Sequence, residues 1–72
     1  MKEIVIKDKD DFVIALANGH TVWCNDDVSY NKAADSDAIY HTEFYKEGGC
    51  GMYVVDDIEK EWNDKDKFYY LD

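Results

Sequence analysis

The chain has no proline and no arginine, and only four glycines, three of them in the tetrapeptide Gly48-Gly49-Cys50-Gly51. With so little proline and glycine it contains no low-complexity linker, and no internal repeat divides it. No apolar run approaches the ~20 residues of a membrane span, and the start, Met1-Lys2-Glu3-Ile4, lacks the apolar core of a signal peptide. These features lead us to expect an intact cytoplasmic protein, beginning at its own Met. Positive charge is the other shortage. Eight lysines stand against 17 Asp and Glu, a net charge of -9 on 72 residues. Such a surface repels anions, which argues against direct binding of nucleic acid or an anionic membrane.

Cysteine is scarce too. Cys24 and Cys50 read as ordinary thiols in a reducing compartment, with a disulfide the alternative in a secreted protein. His20 lies near Cys24 and His41 near Cys50, which raises a Cys2His2 zinc site, but no C-x2-C spacing accompanies them. Asp8-x-Asp10 and Asp64-x-Asp66 begin like calcium loops and lack the later Gly and Glu. A Cys–His nucleophile pair has nothing in the sequence to activate the thiol. The Gly48–Gly51 segment lacks the Lys-Ser/Thr ending of a phosphate loop and reads as a hairpin turn. No catalytic residue, metal or cofactor is implied, and an enzyme is the least supported class.

What the chain does have is apolar and aromatic bulk. Hydrophobic residues make up 46% and aromatics 15%, far more than a disordered acidic tail carries. Two Trp, six Tyr and three Phe can build a core in one short domain, since each ring buries on the order of 150–250 Å². Trp23, Trp62, Phe12, Phe44 and Phe68 are the candidate core. Six tyrosines exceed what so small a core can hold, so at least two should be exposed beside carboxylates.

The pattern predicts a strand over 2–7. A helix follows, capped by Asp8 or Asp10, with Asp10 and Asp11 in its first turn. It presents Phe12, Val13, Leu16 and Ala17, and Asn18-Gly19 stops it. Thr21–Cys24 reads as a second strand. Residues 25–37 are acidic and rich in turn formers, so we expect a contact loop with one helical turn at most. Residues 38–46 carry a strand period, although Ser36 or Asp37 could cap a helix there. A hairpin over Lys46–Cys50 would return through Met52–Val55. Asp56 or Asp57 can cap a short helix, Ile58–Trp62, before a charged turn and a final strand, Phe68–Leu71. The expected architecture is α+β: a small, mostly antiparallel sheet of four to five strands with one or two short helices on one face.

The carboxylates are the candidate functional groups. Residues 1–36 carry seven acids and four Lys, and residues 37–72 carry ten acids and four Lys. One concentration is Asp26, Asp27, Asp35 and Asp37; the other runs Asp56, Asp57, Glu59, Glu61, Asp64, Asp66. Carboxylates two apart on a strand lie about 6.6 Å apart, and four apart on a helix about 6 Å, near the spacing of adjacent phosphates. Asp35/Asp37, Glu59/Glu61 and Asp64/Asp66 stand two apart. The expected contact set is Asp26, Asp27, Asp35, Asp37, Asp56, Asp57, Glu59 and Glu61, with Tyr30 and Tyr40 as desolvated anchors. Its partner would be a basic nucleic-acid-binding protein, excluded from its ligand by acidic mimicry. The alternative is a small protein- or ligand-binding module whose acidity serves only solubility.

In size, acidity and lack of arginine the chain resembles small phage-encoded inhibitors of bacterial defence, among them anti-CRISPR and anti-restriction proteins. Phe12-x-x-Ala15-Leu16-x-x-Gly19-x-x-Val22 is similar to the opening of a DUF2829-like phage family that includes anti-defence proteins. The basic residues that usually follow in that family are missing here. The resemblance implies a non-enzymatic inhibitor, with the nucleic-acid channel of a CRISPR effector as its target.

Overall fold

The computed structural model describes residues 1–72 and contains six strands and one α-helix. Strand β1 (Glu3–Ile6) leads into α1 (Lys9–Ala17), followed by β2 (Val22–Cys24), β3 (Val28–Lys32), β4 (Ile39–Phe44) and β5 (Cys50–Val55). A 3₁₀ helix (Ile58–Glu61) precedes β6 (Phe68–Leu71). All six strands form one sheet in the order β1-β6-β2-β3-β4-β5, and every neighbouring pair is antiparallel. The last strand is thus inserted between the first and second. Its sequence, Phe-Tyr-Tyr-Leu, suits an interior position: Phe68 is fully buried and Tyr69 is 9% exposed.

Local chemistry fixes the helix ends. Asp8, in extended conformation, accepts the Asp11 amide on Oδ1 at 2.8 Å, and Asp10 and Asp11 sit where the helix dipole favours negative charge. At the other end Gly19 takes φ +88°. His20 N–H then bonds Ala15 C=O at 3.1 Å and Gly19 N–H bonds Leu16 C=O at 3.0 Å, the paired bonds of a Schellman ending. Nine residues of helix are marginal alone. Phe12, Ala15 and Leu16 dock α1 on the sheet, where Phe12 is completely buried. The Phe12 ring centroid lies 4.9 Å from that of Phe68, 5.5 Å from Tyr30 and 5.7 Å from Trp62. Ile6, Val22 and Cys24 complete this aromatic core.

Three expectations are corrected. The sheet has six strands rather than four to five. Residues 25–37 are not one loop: β3 lies within them as an interior strand between β2 and β4. Val28 and Tyr30 point to the helix side while Ser29 and Asn31 point away, so an alternating strand was hidden by polar composition. The turn before it uses Asn25 (φ +53°) and Asp26 (φ +69°), residue types that tolerate the left-handed region. Finally, the segment expected as helix Ile58–Trp62 is a single 3₁₀ turn ending at Glu61. Asp57 caps it by accepting the Glu59 amide at 3.1 Å.

One face of the sheet is covered by α1 and the 3₁₀ helix; on the other no element lies, and only Ser29 and Tyr69, near its middle, are buried among neighbouring side chains. The other face carries Val5, Leu71, Trp23, Tyr40, Phe44, Met52 and Val54, by register. Val5, Phe44, Met52, Val54 and Leu71 are each close to half exposed or more.

Candidate functional site

The strand register distributes the acidic residues. Asp26 and Asp27 occupy the β2–β3 turn, beyond the Cys24–Val28 pair. Asp35 and Asp37 lie in the β3–β4 connection, beyond the Lys32–Ile39 pair at the opposite end of the sheet. Asp56 and Asp57 follow Val55, which pairs with Ile39, so they leave the sheet at that same end. The expected contact set is therefore split: Asp26 and Asp27 stand apart from Asp35, Asp37, Asp56 and Asp57. Spacing of two does not align the pairs either. None of the three pairs lies in a strand. In the 3₁₀ helix, three residues per turn send Glu59 and Glu61 in different directions. Glu59 meets Lys9 at 3.5 Å at the surface, while Glu61 turns inward.

Two expected contact residues are withdrawn from the surface. Tyr30 is 4% exposed, packed edge-on against Phe12, and its hydroxyl donates to Glu61 Oε1 at 3.1 Å. Glu61 also faces His41 Nδ1 at 3.4 Å, and Glu43 faces His41 Nε2 at 3.1 Å. Tyr53 stacks on the imidazole with centroids 4.5 Å apart. Burial and the Glu61 carboxylate push the Tyr30 hydroxyl well above its ordinary pKa, and Tyr53 is raised as well, by desolvation and then by Glu61 and Glu43. Sequence reasoning found no partner for His41. Glu43, two residues on in the same strand and hence on the same face, was the one legible signal; Glu61 comes from a distant segment. Both ring nitrogens of His41 are already engaged, and no surface hollow reaches the ring.

The cysteines fall on opposite faces of the sheet. Cys24 is buried on the helix side and Cys50 is exposed on the other, and both are free thiols. They do not share a metal ion or a disulfide in this arrangement. The Cys24 thiol is pushed up to about 11 by burial and by the carboxylates of Asp66 and Asp27, the reverse of what a nucleophile needs. No group of three or more His, Cys, Asp or Glu side chains is placed to hold a metal ion.

The residues that do converge on open surface lie along α1. A groove runs between α1 and the 3₁₀ helix, with Val13, Ile14 and Ile58 as its floor and Asp10, Asp57 and Glu59 as its walls. Val13 and Ile58 continue into an adjoining hollow formed by Leu16, Ala17, Ile39, Lys32 and Asp37. Three of the expected contact residues, Asp37, Asp57 and Glu59, thus border a channel of two adjoining apolar hollows that share Val13 and Ile58, joined by Asp10, which sequence reasoning placed at the helix start as a candidate cap and dipole partner. The channel exists because the 3₁₀ helix packs beside α1 and leaves Ile14 54% exposed. Such a surface suits a cationic segment that also carries apolar side chains. Of the eight lysines, only Lys9 and Lys67 form ion pairs with carboxylates, so most of the negative charge is uncompensated within the chain.

Compared with family models, curated proteins and solved structures, the chain matches none.

Proposed function

We propose that this protein is a non-enzymatic inhibitor that occupies a basic, nucleic-acid-binding surface of a bacterial defence protein. The observation that carries the reading is the α1 groove, an apolar floor bordered by Asp10, Asp57 and Glu59 in one hollow and by Asp37 in the next, with Lys32 the one basic residue lining it. Lysine and arginine side chains of a partner would meet the carboxylates, and their aliphatic stems would cover Val13, Ile14 and Ile58. The mimicry is one of charge and not of phosphate spacing, because the carboxylate pairs do not align. With a net charge of -9, association is steered at long range and weakens as salt rises. The compositional resemblance to phage anti-defence proteins, anti-CRISPR inhibitors among them, directs the search to effectors with nucleic-acid channels.

The test is capture from bacterial lysate with this chain as bait, before and after nuclease treatment. The expected result is a basic nucleic-acid-binding protein whose recovery rises when nucleic acid is removed and falls when duplex is added back. Recovery indifferent to both treatments would overturn occlusion of a nucleic-acid surface.

One hollow favours a second reading as a small-ligand module. Ile4, Ile6, Ile14, Ala15 and Tyr70 line a space of about 280 Å³ into which Asp11, Asn18 and His20 also open. His20 stacks on Tyr70 with centroids 4.1 Å apart, giving this hollow a flat aromatic wall. Under that reading, metabolite extracts would raise the melting temperature while lysate capture returned no basic protein.

A further inference from the structure

The uncovered face of the sheet does not share the charge of the rest of the molecule. The register places thirteen strand residues on it, and only one, Glu3, is charged, in a chain of which 35% is charged. Glu3 is answered locally by Lys67, at 3.2 Å, whose ammonium also lies 4.8 Å above the ring of Tyr69. The row Val5, Tyr69, Trp23, Ser29, Thr42 and Met52 crosses all six strands without a charge. Beside it stand Phe44, packed 5.5 Å from Trp23, with Tyr40 and Val54. Met52 is 65% exposed and Val54 52%. An antiparallel sheet that keeps one face in water normally makes that face polar. Here it is apolar and neutral, as in a sheet that packs against a second layer.

We propose that this face binds a second copy of the same chain, giving a two-fold symmetric dimer with the two sheets packed face to face. Charge decides the occupant. The two carboxylates at this face are already engaged, Glu3 by Lys67 and Asp26 by the Tyr69 hydroxyl, so a basic partner, which the carboxylates elsewhere would attract, finds no free carboxylate here. A second copy brings an equally neutral face and directs both sets of acids, and both α1 grooves, outward. Contact between identical patches is what two-fold symmetry requires. Area sets the strength. Six strands at ~4.8 Å spacing, with strands up to ~20 Å long, present roughly 400–500 Å² per copy. Two such faces bury about 1,000 Å² in total, at the lower edge of specific interfaces, so the dimer is expected to be weak, with a Kd on the order of tens of micromolar. Two chains of charge -9 also repel, and salt screens that repulsion. Self-association should therefore strengthen with salt, opposite to binding of a basic partner.

Sedimentation of the full chain across a concentration series, at about 50 and about 500 mM salt, tests this. The expected result is a shift from the 8.4 kDa monomer towards twice that mass, more complete at the higher salt. Met52→Lys and Val54→Lys, each in an exposed position, should weaken the dimer by about tenfold or more. Circular dichroism would confirm that the fold is intact, and Leu71→Lys gives the same test on another strand. A wild-type monomer at high concentration and high salt would overturn the proposal, as would a dimer indifferent to lysines at all three positions. The outcome is separable from the proposed function. Lysine variants on this face should still capture a basic partner through the groove, and neutralising Asp57 and Glu59 should leave the dimer in place.

Discussion

Neutralising the α1 groove tests the functional reading most directly. The variant carries Asp10→Asn, Asp37→Asn, Asp57→Asn and Glu59→Gln, and the probe is an amphipathic peptide with lysines flanking a leucine stripe. Each exposed carboxylate opposite a lysine contributes about 0.2–1 kcal/mol. Four of them give a loss of about 2 kcal/mol, or roughly thirtyfold in Kd. The fold should tolerate the change. Asn retains the oxygen that accepts the Glu59 amide at the start of the 3₁₀ helix, and the Lys9–Glu59 pair is exposed and worth little. Removing four negative charges also relieves self-repulsion, so the melting temperature should stay level or rise. Titration calorimetry at several salt concentrations measures the loss, and a thermal melt checks the fold. A control variant, Asp27→Asn with Glu47→Gln, removes charge outside the groove. Binding changed less than threefold in the groove variant, or equally reduced in the control, would refute the assignment of contact to this groove.

Three further outcomes are expected. Phe12→Ala, which empties the centre of the aromatic core, should cost about 3–5 kcal/mol, half or more of the stability available to a chain of this length, and denaturant unfolding would show it. Stability should hold up to the ordinary ionisation range of the Cys24 thiol and Tyr69 hydroxyl and fall above it. Both groups are raised in the fold, to about 11 and about 12, and the Tyr30 hydroxyl is raised further, so the protonated native state loses its advantage as pH climbs through 9–11 for Cys24, 10–12 for Tyr69 and from 10 upward for Tyr30. Tyr69→Phe, lacking the hydroxyl that donates to Asp26, should flatten the upper part of that decline in melts taken across alkaline pH. Asn25→Ala should destabilise by about 2 kcal/mol, because it removes the bonds to Asp66 and to the Lys67 amide and leaves Ala at positive φ. Asn25→Gly should recover only the backbone part.

The readable parts of this fold were those with local causes. Asp8, Phe12, Leu16 and Gly19 specify a helix with both ends marked, and the structure places it there. The β4–β5 hairpin was less plain: the period of residues 38–46 and the glycine-rich turn favoured strands, a helix capped by Ser36 or Asp37 remained open, and the structure has the strands. β3 was missed because Ser29, Asn31 and Lys32 resemble loop residues, and its strand conformation is imposed by β2 and β4 on either side. The insertion of β6 between β1 and β2 depends on pairing over most of the chain length, which no local pattern records. The acidic excess was evident from composition, but its arrangement was not. Asp57 and Glu59 reach the α1 groove through tertiary packing, and Glu61 is drawn inward by Tyr30 and His41.

The placement of β6 has a kinetic consequence. The strand that bridges β1 to the rest of the sheet is made after all the others, so β1 has no strand partner until β6 is in place, whereas α1 can already rest on β2 and β3. The ring of Phe68, against which Phe12 rests, lies 56 residues further along the chain. Assembly is then a late event, with apolar segments exposed to proteases until it happens. The same dependence ties the two ends of the chain together: without β6, strand β1 has no partner in the sheet and Phe12 loses the ring it rests on.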